Sequence, residues 1–377
     1  MILPIMSASA TPTTIVFVIP NKSTFISGDQ KLFEKYYQVR PFIMKQLKGK
    51  FYYAVRNLQL FFYLLSFAFK KDVIFVTWFA DYHAATMVLA ARLIGKKSLI
   101  FIGGQEAVCY PELRKGVYRK KIRGSFVAFA LRNTNLIIAN HKSLVYHENY
   151  YYNSKKPHID GIKHYVSRLN TPIKIVYNGI DSSRIIRDKS LSKQENLILT
   201  VGTMNQVGDF YNKGFDLFIQ AAERNPQLNF ILIGLNKAYL DWADEEYHFR
   251  SITNLKVIPT FCPDEVLNEC YNKAKVFVQA SITEGMPNTL SEAMLLGCIP
   301  VGSNINGIPD AIGDTGVVIK RRTVQDLEAG ILDALKLNTS IQARERVIQL
   351  FSIELREQKL KDILSQFCAG KNFEVSE

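Results

Sequence analysis

Residues 276–301 read VFVQASITEGMPNTLSEAMLLGCIPV, and this segment determines the fold class of the chain. It starts with an apolar strand at 276–279, passes through a loop that contains Gly285 and Pro287, and continues into a short helical segment. Gly297 ends that helix, and a second apolar strand follows at 299–301. A strand, a helix and a further strand in this order predict a parallel sheet covered by helices.

The same alternation extends along the whole chain. In the second half the predicted strands are 197–201, 230–233, 256–258, 276–279, 299–301 and 317–319. In the first half the predicted strands are 15–19, 73–77, 98–102 and 136–139, and the predicted helices are 51–70, 82–94 and 118–132. The pattern predicts an α/β protein with two doubly wound, Rossmann-like domains. We place them at 1–178 and 179–351, with the junction near Asn178 and Gly179.

Length and composition are those of a folded protein with two domains. The chain has 377 residues, of which 47% are hydrophobic, and this excludes disordered and low-complexity classes. Its five cysteines are scattered and form no C-x-x-C pair. Neither a disulfide framework nor a zinc site is therefore predicted, and a reducing compartment is favoured. The N-terminus lacks the basic region of a signal peptide, so we expect a cytoplasmic protein.

All of the excess positive charge lies in the first half. Residues 1–178 contain 26 Lys and Arg against 8 Asp and Glu, whereas residues 179–377 contain 21 against 26. Such asymmetry indicates an anionic partner, either a nucleic acid or a membrane surface. No nucleic-acid-binding motif accompanies the basic residues, so no nucleic-acid partner is predicted. The apolar segment 58–69 is too short to span a bilayer. It fits either a helix lying on a membrane or a helix buried against the sheet.

Several common catalytic motifs are absent from the sequence. There is no G-x-G-x-x-G dinucleotide fingerprint, no P-loop, no G-x-S-x-G elbow, no H-E-x-x-H zinc motif and no D-x-D pair. These absences argue against oxidoreductases, P-loop kinases, serine hydrolases and zinc proteases. They also leave no predicted metal site and no cofactor other than a substrate.

The loop after strand 276–279 carries the features of an anion site. Parallel sheets bind ligands at the carboxyl ends of their strands, and free amides near Asn288, Thr289 and Leu290 open a helix where phosphate binds well. Glu292 can accept hydrogen bonds from ribose hydroxyls, and Glu284 can reach another part of the same ligand. Alternatively, 289–292 fits a capping box, in which Glu292 only marks a helix start.

A second cluster follows strand 197–201. Gly202 lets a ligand approach the backbone, and Lys213 places an ammonium group near another helix start. A pyrophosphate between the two loops is consistent with this arrangement. Alternatively, Lys213 is an ordinary solvated lysine.

These residues resemble those of the retaining GT-B glycosyltransferases of family four. The resemblance runs through 178–181, 201–214, 284–301 and 307–316, and it covers nearly all of 173–320. It implies that Glu292 binds the donor ribose, Glu284 contacts the donor sugar and Lys213 neutralises the leaving diphosphate. Donor contacts are also expected from Gly202, Thr203, Gly285, Met286, Pro287, Asn288, Thr289 and Leu290. Where many relatives have Arg, this chain has Thr203, which removes one expected cation.

The acceptor is expected to bind the first half. Asp81 and His83 follow strand 73–77, Gly103, Gly104 and Glu106 follow strand 98–102, and His141 follows strand 136–139. Glu106 is the preferred catalytic candidate there, although each of these side chains also fits a purely structural position.

Two further expectations come from the resemblance. Gly28 occupies the loop after the first strand, where relatives place small residues facing the donor phosphates. The helical segment at 352–377 is expected to cross back onto the first domain.

Together these features predict a retaining hexosyltransferase on the inner face of a membrane, with a UDP-sugar favoured over a GDP-sugar as donor. The predicted acceptor is a glycan or a lipid-linked glycan in polysaccharide or glycolipid synthesis, and the predicted membrane contact is the basic first half. Two alternatives remain open from sequence: a non-catalytic nucleotide-sugar-binding subunit and a GT-B nucleotide-sugar epimerase.

Overall fold

A computed structural model describes residues 13–21, 23–44, 49–188, 190–259, 262–371 and 373. Its main elements are two six-stranded sheets, each parallel throughout, and a two-stranded antiparallel hairpin. Helices connect consecutive strands, as parallel pairing requires. The predicted GT-B arrangement of two doubly wound α/β units is confirmed.

The first sheet has the strand order β2-β1-β3-β4-β5-β8. The strands of this half are β1 (Thr14–Ile19), β2 (Gln38–Ile43), β3 (Val73–Trp78), β4 (Lys97–Ile102), β5 (Leu136–Ala139), β6 (His147–Asn149), β7 (His158–Asp160) and β8 (Ile173–Ile175). Its helices are α1 (Thr24–Glu34), α2 (Lys50–Leu65), α3 (Tyr82–Leu93), α4 (Lys121–Asn133) and α5 (Ile162–Tyr165). The central strands are rich in β-branched residues and almost wholly buried, as expected for a sheet covered on both faces.

The second sheet has the order β11-β10-β9-β12-β13-β14. Its strands are β9 (Gln194–Val201), β10 (Asn229–Leu235), β11 (Leu255–Pro259), β12 (Ala274–Gln279), β13 (Ile299–Ser303) and β14 (Val317–Ile319). The helices are α6 (Val207–Lys213), α7 (Phe215–Arg224), α8 (Leu240–Tyr247), α9 (Asp264–Lys273), α10 (Asn288–Leu295), α11 (Ile308–Ile312), α12 (Val324–Lys336), α13 (Ser340–Phe351) and α14 (Ile353–Cys368).

The structure contains short strands that the sequence pattern did not reveal. The edge strand β2 reads QVRPFI and is mostly exposed, so it lacks the apolar run of a central strand, and Pro41 is tolerated there because the strand is at an edge. The strands β6, β7 and β8 have three residues each, which is too short for a periodic signal.

Helix α2 and the turn after it bury one part of segment 58–69 and expose another. Leu60, Leu64 and Phe67 pack into the core, whereas Phe62 and Phe69 point to solvent. The segment is therefore neither fully buried nor long enough to span a bilayer. Within the described ranges, no helix has the length and apolar content needed to cross a membrane.

The final long helix, α14, packs against the first half. Leu360, Leu364 and Phe367 join the hydrophobic core on one face of the first sheet. Arg356 forms a buried ion pair with Asp29 of α1, in which Nε donates to Oδ1 at 2.8 Å and an Nη donates to Oδ2 at 2.7 Å. This helix therefore ties the end of the chain to its first helix. Of the segment predicted to cross back, residues 372 and 374–377 lie outside the described residues.

Candidate functional site

The candidate site lies where loops of the two halves meet. Gly285 follows β12, Gly103 follows β4 and Asn140 follows β5. A Cβ atom built on Gly285 would lie 2.7 Å from the carbonyl oxygen of Gly103 and 2.9 Å from Oδ1 of Asn140. Contacts this short exclude a side chain at position 285. The glycine is therefore required for the close approach of the two carboxyl-end loops.

Lys213 and Glu284 form an ion pair at this edge of the second sheet. Lys213 is the last residue of α6, and its ammonium group contacts Oε1 of Glu284. Ser281 also donates its hydroxyl to that oxygen, at 3.2 Å, and the backbone amide of Glu284 donates to Oδ1 of Asn306 at 2.9 Å. Two donors, the Lys213 ammonium group and the Ser281 hydroxyl, thus hold the carboxylate and favour its charged form.

The balance of forces on Glu284 leaves it ionised. Burial opposes the charged form, but the neighbouring ammonium of Lys213, the more distant ammonium of Lys115 and the Ser281 hydroxyl outweigh it, and the pKa of Glu284 is lowered. A lysine has three N–H donors. Lys213 can therefore keep its contact with Glu284 while donating to an incoming anion.

Gly202 provides the space that Lys213 occupies. A Cβ on Gly202 would lie 3.2 Å from Cγ of Lys213 and 2.9 Å from the ring of Phe215, so a larger residue would displace both. Thr203 follows on an exposed stretch of the loop. It leaves this part of the loop without a cationic side chain.

The start of α10 has no side-chain cap. The N-cap residue is Pro287, and no side chain of the described residues accepts a hydrogen bond from the first turn. Thr289 instead donates its hydroxyl to Oε1 of Gln279 at 3.0 Å. The capping-box interpretation of 289–292 is therefore wrong, because Pro287 moves the helix start two residues upstream of Thr289. An uncapped first turn offers backbone N–H groups to an anion.

Glu292 lies on the other side of this first turn. Tyr271 donates its hydroxyl to Oε2 of Glu292 at 3.3 Å, and burial raises the pKa of Glu292. Glu292 lines a cavity of about 740 Å³, together with Gly28 of α1 and Asn288. Among its described lining residues, neither member of the Lys213 and Glu284 pair is present. The structure therefore has two polar clusters near the start of α10, the Lys213 and Glu284 pair and the group around Glu292.

Asn178 completes the wall of this cavity. Its Nδ2 donates to Oδ1 of Asn288 at 3.0 Å, while its own Oδ1 is buried with no hydrogen-bond partner among the described atoms. An acceptor without a donor is costly when it is buried. Sequence reasoning placed Asn178 only at the domain junction, and its place beside Glu292 depends on tertiary structure.

The remaining predicted donor residues pack inside the protein. Met286 and Leu290 belong to the hydrophobic core of the second half, and Pro287 is buried at the N-cap. These three residues shape the loop and the start of α10, whereas Asn288 borders the cavity.

A second ion pair connects the two halves near this site. Nζ of Lys115, in a turn of the first half, lies 3.1 Å from Oδ1 of Asp209 in α6. Gln206 donates its side-chain amide to the carbonyl of Leu113 at 3.2 Å, and a Cβ on Gly208 would collide with that same carbonyl. Lys115 belongs to the basic segment 114–123. That charge signal could have identified the segment, but only the structure shows which of its cations faces the second half.

Glu106 does not occupy an acceptor-contacting position. Its side chain is fully buried, and its carboxylate accepts backbone N–H bonds from Ala80 at 2.9 Å and from Gly104 at 3.2 Å. Burial raises the pKa of Glu106 to about 7. The expected catalytic role is therefore corrected to a positioning role, because the carboxylate faces two loops of the protein rather than the cleft.

His83 and Asp81 are also engaged within the protein. His83 is buried, its Nε2 lies 3.1 Å from the carbonyl of Trp78, and burial lowers the pKa of its ring. Asp81 caps α3 by accepting the amide of Tyr82, and it pairs with Arg123. The acceptor contact expected of His83 is wrong for this structure, because its side chain is almost wholly buried. Asp81 is partly exposed but already pairs with Arg123.

His141 joins the two halves. The amide of Ser143 donates to its Nδ1 at 3.1 Å, so the neutral ring carries its proton on Nε2, which donates to Oδ2 of Asp310 at 3.0 Å. Burial lowers the pKa of His141 despite that carboxylate. The ring is nearly inaccessible, which corrects the expected acceptor contact to an interface contact. The backbone of Gly103 and Gly104 does lie opposite Gly285, at the cleft.

Comparisons with known proteins agree with this architecture. Residues 181–349 match the family described as "Glycosyl transferases group 1". A segment of 76 residues is 37% identical to O-antigen chain mannosyltransferase B of Escherichia coli, and it spans 20% of this chain and 20% of that protein. The chain thus matches about a fifth of the length of this curated relative.

Solved structures match over nearly the whole chain. Sucrose-phosphate synthase from Thermosynechococcus elongatus superposes with a TM-score of 0.71 at 14% identity, covering 95% of this chain and 100% of that one. HepE of Anabaena in complex with UDP superposes with a TM-score of 0.68 at 14% identity, covering 94% and 100%. A glycosyltransferase from Rickettsia africae gives a TM-score of 0.65 at 15% identity, covering 96% and 100%. These likenesses establish the fold. Residues 181–349 are therefore similar to the group 1 glycosyl transferases, and the chain that contains them has the GT-B fold.

Proposed function

We propose that the protein is a retaining glycosyltransferase that moves a hexose from a nucleotide diphosphate donor to a hydroxyl of a lipid-linked glycan. One observation carries this proposal. The uncapped start of α10 borders the Glu292 cavity through Asn288, and Gln279 connects it to the Lys213 and Glu284 ion pair by contacting both Thr289 and Glu284. The cation and the free amides suit a diphosphate. The two carboxylates suit the hydroxylated groups that flank it.

Each part of a nucleotide sugar has a counterpart at this edge of the sheet. The cavity beside Glu292 offers a carboxylate to the ribose hydroxyls, and the α10 amides and Lys213 offer positive charge to the diphosphate. Glu284 lies next to Lys213 and offers a carboxylate to the sugar. We favour a UDP-sugar over a GDP-sugar because solved proteins of the same fold hold UDP and UDP-glucose.

The proposed transfer needs no proton donor beyond the substrates. The bond between the anomeric carbon and the diphosphate oxygen breaks, the acceptor oxygen forms a bond to the same face of that carbon, and the acceptor proton passes to the departing phosphate. Lys213 stabilises the charge that develops on the leaving group, which is the main electrostatic requirement of the step. Among the described residues, no group of three or more His, Cys, Asp or Glu is arranged to hold a metal ion. We propose that the transfer proceeds without one.

The proposed acceptor is a lipid-linked glycan of surface polysaccharide synthesis at the inner face of a membrane. Two observations support it: the curated relative is named for an O-antigen chain, and the first half carries the excess positive charge. Gly103 and Gly104 present bare backbone opposite Gly285. We propose that the acceptor binds beside this contact between the two halves.

The donor site is tested by thermal unfolding with UDP, GDP, ADP and their common sugar conjugates. A ligand at 100 times its dissociation constant stabilises the native state by about 2.7 kcal/mol. We expect stabilisation by UDP and UDP-sugars, loss of that stabilisation in Glu292→Ala, and no loss in Glu246→Ala, which removes an exposed carboxylate on α8 of the same half. Product analysis with labelled donor then distinguishes the possible activities.

Each outcome of this experiment has a defined meaning. Transfer to a lipid-linked acceptor supports the proposal. Conversion of the donor alone into an isomeric nucleotide sugar would identify an epimerase, and nucleotide binding without any turnover would identify a binding subunit. If no nucleotide stabilises the wild-type protein, the donor site itself is refuted.

A further inference from the structure

We propose that the helices α2, α3 and α4 form one docking surface for an anionic lipid bilayer, here called the α2–α3–α4 face. The inference deepens the proposed function, on which it rests for its lipid-linked acceptor. The surface itself is argued from exposure, charge and position.

The three helices lie side by side on one face of the first sheet. Helix α3 packs against α2 on one side and α4 on the other. Their aromatic side chains continue across the helix boundaries, since the ring of Tyr82 lies 6.2 Å from that of Tyr53 and 5.1 Å from that of Phe126. The helices therefore present a continuous outer surface rather than three separate ridges.

This surface carries large apolar side chains that are exposed to solvent. Phe51 is 84% exposed, Phe62 is 61% exposed, and Phe69 is fully exposed in the turn after α2. Within α2, Phe51, Leu58 and Phe62 are spaced by seven and four positions, which keeps them on one side of the helix. The opposite side of α2 packs into the core through Leu60 and Leu64 and is therefore already occupied. Leu93 of α3 and Ile122 of α4 extend the exposed apolar surface, with exposures of 64% and 71%.

The α2–α3–α4 face is predominantly basic, with the exposed Asp72 directly after Lys71 as an acidic residue at its border. None of the three helices contains an aspartate or a glutamate. Exposed cations border the apolar residues: Lys70 and Lys71 after α2, Arg92 near the end of α3, and Lys120 and Lys121 at the start of α4. Apolar side chains ringed by lysine and arginine are the pattern of a surface that lies in the interface of an anionic bilayer.

The same charge argues against a second copy of the chain as the occupant. A symmetric dimer through this face would bring the same basic residues of both copies together. Two like-charged surfaces would then repel, whereas anionic headgroups would neutralise them. The bilayer is therefore the occupant that fits both the apolar and the charged side chains.

The position of the α2–α3–α4 face connects it to the candidate site. Helix α3 starts directly after Asp81, at the carboxyl edge of the first sheet, which is the edge that carries Gly103 and Gly104. Arg123 in the first turn of α4 pairs with Asp81 and holds the two helix starts together. A protein docked through this face would have its cleft at the membrane surface, where a lipid-linked acceptor is confined.

The test is sedimentation with vesicles of phosphatidylcholine alone and of phosphatidylcholine mixed with phosphatidylglycerol. We expect binding to the anionic vesicles only, with an affinity that falls as salt screens the charges. An apolar variant, Phe51→Ser/Phe62→Ser/Phe69→Ser, and a charge variant, Lys70→Gln/Lys71→Gln/Lys120→Gln/Lys121→Gln, should each lose at least about tenfold in affinity.

The matched control removes exposed apolar side chains from the second half. The variant Ile186→Ser/Ile341→Ser/Ile348→Ser changes three exposed residues and should bind anionic vesicles like the wild-type protein. UDP binding should be unchanged in all three variants, which separates this proposal from the donor site. Should the apolar variant fail to fold, the charge variant decides, because its lysines are exposed.

Three results would overturn the proposal. The first is wild-type protein that does not bind anionic vesicles. The second is a charge variant that binds them as well as the wild-type protein does. The third is a dimer of the wild-type protein and a monomer of the apolar variant in sedimentation velocity, with no vesicle binding by either protein. That result would make a second copy of the chain the occupant of the face.

Discussion

The carboxyl group of Glu106 shows how one buried residue can hold two loops of a site. It accepts amides from the loop after β3 and from the loop after β4. These two donors favour its charged form, but burial dominates and raises its pKa from 4.5 to about 7. The pKa of Glu106 is higher in the folded protein than in the unfolded chain, so the protonated carboxyl group contributes to the stability of the fold. This contribution is fully present below about pH 4.5 and is lost as the pH rises through 7.

A pH titration of stability tests this assignment. The free energy of unfolding of the wild-type protein, relative to Glu106→Gln, should fall by on the order of 2 kcal/mol between pH 5 and pH 8. Urea denaturation at a series of pH values measures it, and Gln is the reference because it does not titrate. A difference that is constant with pH would contradict the raised pKa of Glu106.

Glu284 and Lys213 illustrate what sequence does reveal at the residue scale. Both follow strands of a parallel sheet, so their approach at one edge was predictable from the strand pattern. The burial of Glu106 and His83 was not predictable, because a loop residue's direction depends on the packing of its neighbours. Lys115 was missed for a related reason, since its partner Asp209 lies in the other half of the chain.

At the scale of elements, the loop after β12 depends on the absence of a side chain at position 285. In Gly285→Ala, the new methyl group would press against Gly103 and Asn140. We expect a loss of about 1–3 kcal/mol in stability and weaker UDP binding, because the start of α10 moves with this loop. Thermal unfolding and calorimetric titration with UDP measure the two effects.

The control for this variant is another glycine. In Gly28→Ala, the added Cβ would meet no atom within 4 Å, and the residue lies inside α1. This change should raise stability by about 0.4–1 kcal/mol. If both alanine variants proved equally stable, close packing at Gly285 would be refuted as the reason for that glycine.

The elements also show where sequence patterns were sufficient. The strands β1, β3, β4, β9 and β12 each contain a buried apolar run, and each run lies where the pattern predicts it. The sequence left two interpretations of the start of α10 open, free amides near Asn288 to Leu290 or a capping box at 289–292. In the structure Pro287 takes the N-cap position, which leaves Glu292 free of a capping role.

At the scale of the whole molecule, α14 and α1 bind the two ends of the described chain together. The pair of Arg356 and Asp29 is only 4% and 2% exposed, and Trp78 also donates to Asp29 at 2.9 Å. Removing one partner of a buried ion pair leaves the other charge unpaired. We expect Arg356→Met to lower the free energy of unfolding by about 3–5 kcal/mol, as measured by urea denaturation.

A second ion pair, at the surface, connects the same two helices and serves as the control for the buried pair. Lys35, the C-cap residue of α1, contacts Glu357 of α14, and the Lys35 side chain is 57% exposed. Glu357→Gln should change stability little, because exposed ion pairs are screened by solvent. Equal losses in Arg356→Met and Glu357→Gln would contradict the account of α14 as a buried clamp.

The central claim is that a nucleotide diphosphate binds across the start of α10, and a crystal structure with UDP tests it most directly. The account predicts diphosphate oxygens within hydrogen-bond distance of Nζ of Lys213 and of the backbone amides at 288–290, with the ribose hydroxyls on Glu292. UDP bound elsewhere, or bound in the cleft without contact to Lys213 and Glu292, would contradict it.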